Sequence, residues 1–388
     1  MLRRNWFTVL NLFVIAALVL SACQSAVLPP SASPATPVPA TATEVPTAEP
    51  PAATVPKPTP LPPTRAHRQD DQLTSKALEG NLLNDPTTRL FYVLLPPNYF
   101  YSEKHYPVVY VLPWGPGYAG QGFDGFEVGI HSFLKEQPDK EMIFVSPDGS
   151  NALGASLFRS SVTIGDYETY ITQELVEYVD SHYRTISNRE SRGIAGCSNG
   201  GDGAMHLAFK YPDVYSVAAP AGGTYMETPE ENSFLLKELE RLKTLPEVPA
   251  GVSRIETLFP LTAWYIQLAA GVAPNQDNPP LYLDMPFRIV DGQAEIVPEV
   301  SARITAVDAA HLAEQYLQQP QRLNGLLIQH ALKEDRYVPI EPVRAFDALL
   351  TKLGIEHQYI EEDTFHCAQK WEMATMQFMA EHLLFEEP

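Results

Sequence analysis

Residues 191–204 read Ser-Arg-Gly-Ile-Ala-Gly-Cys-Ser-Asn-Gly-Gly-Asp-Gly-Ala, and the pentapeptide Gly196-Cys197-Ser198-Asn199-Gly200 within them decides the fold. The pentapeptide follows a short run suited to a buried strand and precedes residues 204–210, which suit a helix. A G-x-S-x-G in that setting predicts a nucleophile elbow, a strand-to-helix turn so tight that side chains two before and two after the serine would collide. The serine hydroxyl is then held up from the sheet edge at a helix N-terminus, where the dipole favours developing negative charge. The pentapeptide alone recurs by chance in a chain with 22 glycines. The strand before it, the helix after it and Gly201 make the signal specific, and Ser198 is the candidate nucleophile.

Outward from the elbow, residues 88–95, 107–113 and 141–147 read as strands, the last two apolar enough to be covered on both faces. A helix is expected from Tyr167 to His182, with apolar positions Tyr170, Ile171, Leu175, Val176 and Val179. Residues 215–219 follow the elbow as a further strand. The alternation resumes with a strand at 326–330, a helix at 341–353, a strand at 357–361 and a last helix to Leu384. Strands alternating with helices predict an α/β class: a mostly parallel central sheet flanked by helices.

Residues 222–323 break that rhythm, and a hundred residues exceed what a connection between strands needs. They open with an expected helix to about Lys243, with Thr228 as N-cap, Pro229 at the first helical position and Glu231 as capping-box partner. An apolar stretch from Leu258 to Val272 and a helix at 306–317 follow. The insertion reads as largely helical and cap-like, with Trp264 and Tyr265 its aromatic contribution; a packing subdomain is the alternative.

At the N-terminus, Arg3 and Arg4 precede an apolar run, Phe7 to Leu20, too short to span a bilayer but right for a secretory signal. Leu20-Ser21-Ala22-Cys23 resembles a bacterial lipobox, with residues 1–22 the signal peptide and Cys23 the lipidated residue. A diacylglyceryl cysteine carries more than one acyl chain, enough for stable anchoring. Residues 23–64 form a Pro/Thr/Ala-rich linker; from 24 to 64 it holds 13 of the chain's 36 prolines. Polyproline II at roughly 3.1 Å per residue would reach on the order of 120 Å. The chain is thus expected to be an exported cell-envelope lipoprotein, its only membrane contact the lipid. Residues 65–388 carry 24 Lys and Arg against 45 Asp and Glu, which argues against nucleic acid and against docking on anionic lipid. No CxxC pair, HExxH or strand-linked G-x-G-x-x-G occurs, so no metal and no cofactor are implied.

A serine hydroxyl needs a base, and the base an orienting acid, in the chain order Ser, Asp or Glu, His on this architecture. Of the histidines beyond the elbow helix, His311 and His382 fall in helices, His330 within a strand and His357 at a strand's start. His366 alone occupies the loop after the final strand, at the carboxyl edge where such sheets bind ligands. The acid should leave the loop after the strand ending near His330, which offers Asp335, preferred, and Glu334.

Arg192–Gly201 with Lys210-Tyr211-Pro212-Asp213 resembles the signature of the putative-esterase family, which includes feruloyl esterases, S-formylglutathione hydrolases and enterochelin esterases. Residues 165–171 and 174–184 are similar to that family's helix before the elbow. The resemblance covers residues 85–222 well and 323–388 more loosely. It implies an α/β-hydrolase fold and ester hydrolysis through an acyl-enzyme on Ser198, with His366 as base then acid and Asp335 its partner. Two departures stand out. The family's Met or Leu after the serine is Asn199 here, whose backbone N–H still serves an oxyanion hole. The family's second donor follows a His-Gly pair; here the loop is Pro113-Trp114-Gly115-Pro116-Gly117, and the aligned position is Pro116, which has no N–H. Either Gly115 or Gly117 supplies it by a shifted loop, or the site is weakened.

Beyond Cys23 the cysteines are Cys197, immediately before the nucleophile, and Cys367, immediately after the histidine. If Ser198 and His366 meet, a Cys197–Cys367 disulfide is geometrically open to them, with two buried thiols the alternative. The Cys-Ser and His-Cys pairing resembles that of tannase-type feruloyl esterases. Trp114, Trp264 and Trp371 would suit an aromatic-acyl or carbohydrate-linked ester. A non-catalytic cell-surface binding protein on the same scaffold, or an acyltransferase using the same triad, are the alternatives.

Overall fold

The structure, a computed structural model, describes residues 65–225, 260–291, 293–333, 338–368 and 371–386. Its centre is an eight-stranded sheet. In chain order the strands are β1 (His67–Thr74), β2 (Thr88–Leu95), β3 (Val108–Leu112), β4 (Ile143–Pro147), β5 (Arg192–Cys197), β6 (Val217–Ala221), β7 (Gly325–Ala331) and β8 (Gln358–Glu362). They lie side by side as β1-β2-β4-β3-β5-β6-β7-β8. β1 pairs antiparallel with β2, and β2 antiparallel with β4. Every later pairing is parallel.

The parallel core is apolar because both faces are covered. β3 (Val-Val-Tyr-Val-Leu) and β4 are buried at every position. Val108, Tyr110 and Leu112 join one core, while Val109 and Val111 join the other. The second face carries α1 (Asp124–Glu136) and the last helix, α8 (Trp371–His382). On the first face lie α2 (residues 167–182), the elbow helix α3 (Asn199–Lys210), α4 (Pro260–Val272), α5 (Pro298–Thr305), α6 (Ala309–Tyr316) and α7 (Ile340–Leu353). The expected helix over 167–182 is α2, capped by the Asp166 side chain, which accepts from Thr169 N–H at 3.0 Å. A π-helical stretch at Tyr170–Glu174 interrupts its α-helical ends, Tyr167–Thr169 and Leu175–His182.

Within the insertion, α4 is buried from Trp264 to Ala270 and joins the same core as α2 and α3. A helix apolar on all sides has to be enclosed. The helix expected at 306–317 begins at Ala309, where Asp308 accepts from His311 N–H at 2.8 Å and fixes the start. The expected helix from Thr228 to Lys243 lies outside the described residues. Among the described residues no helix is long and apolar enough to cross a membrane.

Candidate active site

β5 runs buried to Cys197, and the chain then turns at Ser198 with φ 56° and ψ −124°. A side-chain-bearing residue adopts that conformation only where its surroundings enforce it. Here they do. Ser198 N–H donates to the Ala221 carbonyl at the end of β6 (3.0 Å), and the Ser198 carbonyl accepts from Asp202 N–H (2.9 Å), opening α3. The flanking glycines are sterically required. A Cβ on Gly196 would stand 2.4 Å from the Gly200 carbonyl oxygen, and one on Gly200 2.1 Å from that of Leu112. The G-x-S-x-G motif is therefore a nucleophile elbow in the folded chain.

His366 follows β8 and reaches back to the elbow. A Cβ on Gly222, just past β6, would lie 3.2 Å from His366 Cε1, 3.3 Å from its Nδ1 and 3.5 Å from Cys197 Sγ. A side chain there would crowd the imidazole, and the φ of 52° at Gly222 favours glycine as well. Cys197 and Cys367 form a disulfide, with Cα atoms 5.8 Å apart. It joins the residue before Ser198 to the residue after His366. The other histidines considered are engaged elsewhere. His311 Nδ1 is 2.9 Å from Asp308 Oδ1, His357 Nε2 is 2.9 Å from Asp347 Oδ1, and His382 Nδ1 is 2.9 Å from the Phe378 carbonyl. His330 is buried and, with Glu362, Trp371 and His366, lines a cavity of about 20 Å³, room for one water. Asp335 and Glu334 lie outside the described residues.

The oxyanion loop divides its donors. Pro116 has none, and Gly117 N–H donates to the Trp114 carbonyl at 3.2 Å. Gly117 is also packed on Gly149, whose backbone carbon would lie 3.0 Å from a Cβ at that site. Gly117 N–H is thus taken up by the loop's own turn. The first N–H of α3 is that of Asn199, one of the helix-end donors without an intrahelical acceptor.

The three tryptophans part company. Trp114 is 41% exposed, with its ring edge over Gly122. Trp264 is a correction: it is 9% exposed and donates from Nε1 to Asp202 Oδ2 at 3.1 Å. Trp371 is another, 4% exposed and edge-on to Phe126 with centroids 5.3 Å apart. Both are buried among core partners rather than displayed on the surface. Phe365, next to His366 and 66% exposed, escaped the sequence reading. Its signal was position alone, an aromatic side chain beside the candidate base in a loop. Asp202 is buried on α3 with Arg159 Nη2 3.8 Å away, and burial pushes its carboxyl up to about 6.

Residues 83–246 match the family described as "Putative esterase". The chain is 34% identical to an esterase of Mycobacterium tuberculosis over 133 residues, which are 34% of this chain and 28% of that protein. An uncharacterized Bacillus subtilis protein is 25% identical over 148 residues, 35% of this chain and 57% of the other. Among solved structures, a ferulic acid esterase superposes with a TM-score of 0.55 at 17% identity, covering 82% of this chain and 98% of that one. An S-formylglutathione hydrolase of Staphylococcus aureus gives 0.52 at 13% identity, covering 81% and 99%. The strand order, the strained serine between its glycines and these matches lead to one conclusion: the chain has an α/β-hydrolase fold, and its residues 83–246 match the esterase family.

Proposed function

We propose that the protein is an exported, lipid-anchored serine esterase that hydrolyses carboxylic esters through an acyl-enzyme on Ser198. The observation that carries this is Ser198 held at φ 56° with the His366 ring laid over Gly222 beside it. In this reading His366 takes the Ser198 proton as Oγ attacks the ester carbonyl. The tetrahedral oxyanion is met by the N–H groups of Asn199 and Gly115, and the alcohol leaves with the proton from His366. Water then attacks the acyl-enzyme by the same route in reverse. Asp335, ahead of Glu334, holds the imidazole and steadies its charged form. The basic, apolar and lipobox-like run ending at Cys23, followed by the proline-rich linker, supports export and anchoring. An aromatic-acyl or carbohydrate-linked ester is the substrate class we favour, because Trp114 and Phe365 are exposed aromatics on the two loops that carry Gly115 and His366.

The test is hydrolysis of p-nitrophenyl acetate and methyl ferulate by full-length protein beside Ser198→Ala, Asp335→Asn and Glu334→Gln. We expect no turnover in the first variant, a kcat lower by about 10⁴-fold in the second, and near wild-type rates in the third. Turnover that survives Ser198→Ala would reject the mechanism.

A further inference from the structure

Helix α4 of the insertion meets the elbow helix through two hydrogen bonds about one helical turn apart. Trp264 Nε1 donates to Asp202 Oδ2 (3.1 Å), and Asn199 Nδ2 donates to Gln267 Oε1 (3.2 Å). The second bond continues into the oxyanion loop, because the same Asn199 Nδ2 donates to the Gly115 carbonyl at 2.7 Å. A carboxamide nitrogen carries two hydrogens, so both are engaged. Gln267 is 5% exposed, the polar member of an otherwise apolar buried run from Trp264 to Ala270.

The Gly115 carbonyl belongs to the peptide that joins Gly115 to Pro116, and that peptide has no N–H. Were its plane to rotate, it could present only carbonyl lone pairs to a developing oxyanion, a repulsive contact where attraction is needed. A flipped Asn199 carboxamide would set two acceptor oxygens against each other at the position of the 2.7 Å bond. The Gly115 carbonyl, which can only accept, thus fixes which way the carboxamide faces, and the Gln267 oxygen takes its second hydrogen.

We infer that the Asn199 side chain and Gln267 are positioning residues for the oxyanion hole. Gln267 orients the Asn199 carboxamide, which draws the Gly115 carbonyl aside and leaves the Gly115 N–H, with the Asn199 backbone N–H, to meet the oxyanion. The arrangement compensates for Pro116, and it makes a residue of the insertion part of the site's support. The inference rests on the esterase reading above.

The experiment uses full-length wild type, Ser198→Ala, Asn199→Leu, Gln267→Met (similar in size, no acceptor) and Gln267→Glu (acceptor kept). Its readouts are kcat and KM on p-nitrophenyl acetate, the rate of Ser198 labelling by a fluorophosphonate, and Tm. Loss of a whole oxyanion donor costs about 10²- to 10³-fold, so a misplaced one should cost about 10- to 100-fold in kcat. We expect that loss in Asn199→Leu and Gln267→Met, with KM within about twofold, labelling slowed in parallel, and most of the rate restored in Gln267→Glu. Wild-type kcat in both Asn199→Leu and Gln267→Met, or a loss that merely follows a falling Tm, would overturn the inference while leaving the esterase reading intact. A wild type that neither turns over nor labels at Ser198 would overturn that reading, and the inference with it.

Discussion

Glu168 Oε1 stands 2.8 Å from His206 Nε2, a buried pair that joins α2 to the elbow helix about two turns beyond Ser198. Lys210 Nζ and Tyr211 Oη reach the other carboxylate oxygen, each at 2.5 Å. Burial alone would raise the Glu168 carboxyl, but the bonds from His206, Lys210 and Tyr211 hold it down at about 2. Its contribution to stability is therefore whole above pH 4.5 and lost as pH falls towards 2. His206 is driven by burial down to about 3, so it is neutral at pH 7, and its contribution fades as pH falls from 6.5 to 3. Glu168→Ala leaves His206 and Tyr211 without their acceptor while Lys210 reaches solvent, and urea unfolding at pH 7 should show a loss of about 3 kcal/mol. The gap to wild type should narrow below pH 4. A gap that stays constant from pH 7 to pH 3 would contradict the linkage.

The Cys197–Cys367 disulfide closes a separation of 170 residues and spans the elbow and the His366 loop. Reduction should lower stability by about 2–4 kcal/mol and, on the proposed mechanism, cut turnover at least tenfold, since the tie between the Ser198 turn and the His366 loop is lost. Urea melts and p-nitrophenyl acetate assays with and without dithiothreitol read both. Turnover unchanged after reduction, confirmed by thiol counting, would show that the loop needs no tie.

The tryptophans should separate binding from folding. Trp114→Ala is expected to raise KM for an aryl ester severalfold while Tm stays put. Trp264→Phe should instead cost about 1–3 kcal/mol, because Asp202 Oδ2 loses its donor in the interior. Thermal melts run beside steady-state kinetics decide it, and a stability loss in the first variant would contradict the assignment.

Glu372, 4% exposed in the core between α1 and α8, has its Oε1 where a Cβ on Gly125 would be 2.0 Å away, and its Oε2 has no hydrogen-bond partner among the described residues. Burial pushes its carboxyl up to about 7. A raised acid costs stability as pH rises from 4.5 through 7, because only the folded state still holds the proton. Glu372→Gln should match wild type at pH 5 and exceed it by several degrees in Tm at pH 8. Equal melting temperatures at both pH values would remove Glu372 as the cause.

What the residues disclosed in advance followed from steric or periodic necessity. Gly196 and Gly200 have no alternative at the elbow, and the apolar runs at β3 and β4 have no alternative to burial on both faces. β1 escaped notice because its sequence, His-Arg-Gln-Asp-Asp-Gln-Leu-Thr, is polar but for Leu73, as an edge strand allows. Trp264 and Trp371 were misjudged because an aromatic residue near a site reads alike whether it faces the core or the ligand. That the Gly117 N–H closes its own turn could not be read from the sequence of the loop. Gln267 left a faint trace, a lone amide inside an apolar run. Its partner lies 68 residues away on another helix, beyond the reach of local pattern.

The register of the two helix-to-helix bonds has a mechanical meaning. Asn199 pairs with the later residue of α4 and Asp202 with the earlier, so the helices run in opposite senses where they touch. One such bond would act as a pivot; two, spaced by a turn, fix direction as well as position. α4 is thereby a fixed wall, and sliding it by one residue would break both bonds together. Trp114 and Phe365 stand in solvent beside Gly115 and His366, and on the proposed reading those exposed rings are where altered selectivity can be sought without disturbing the serine.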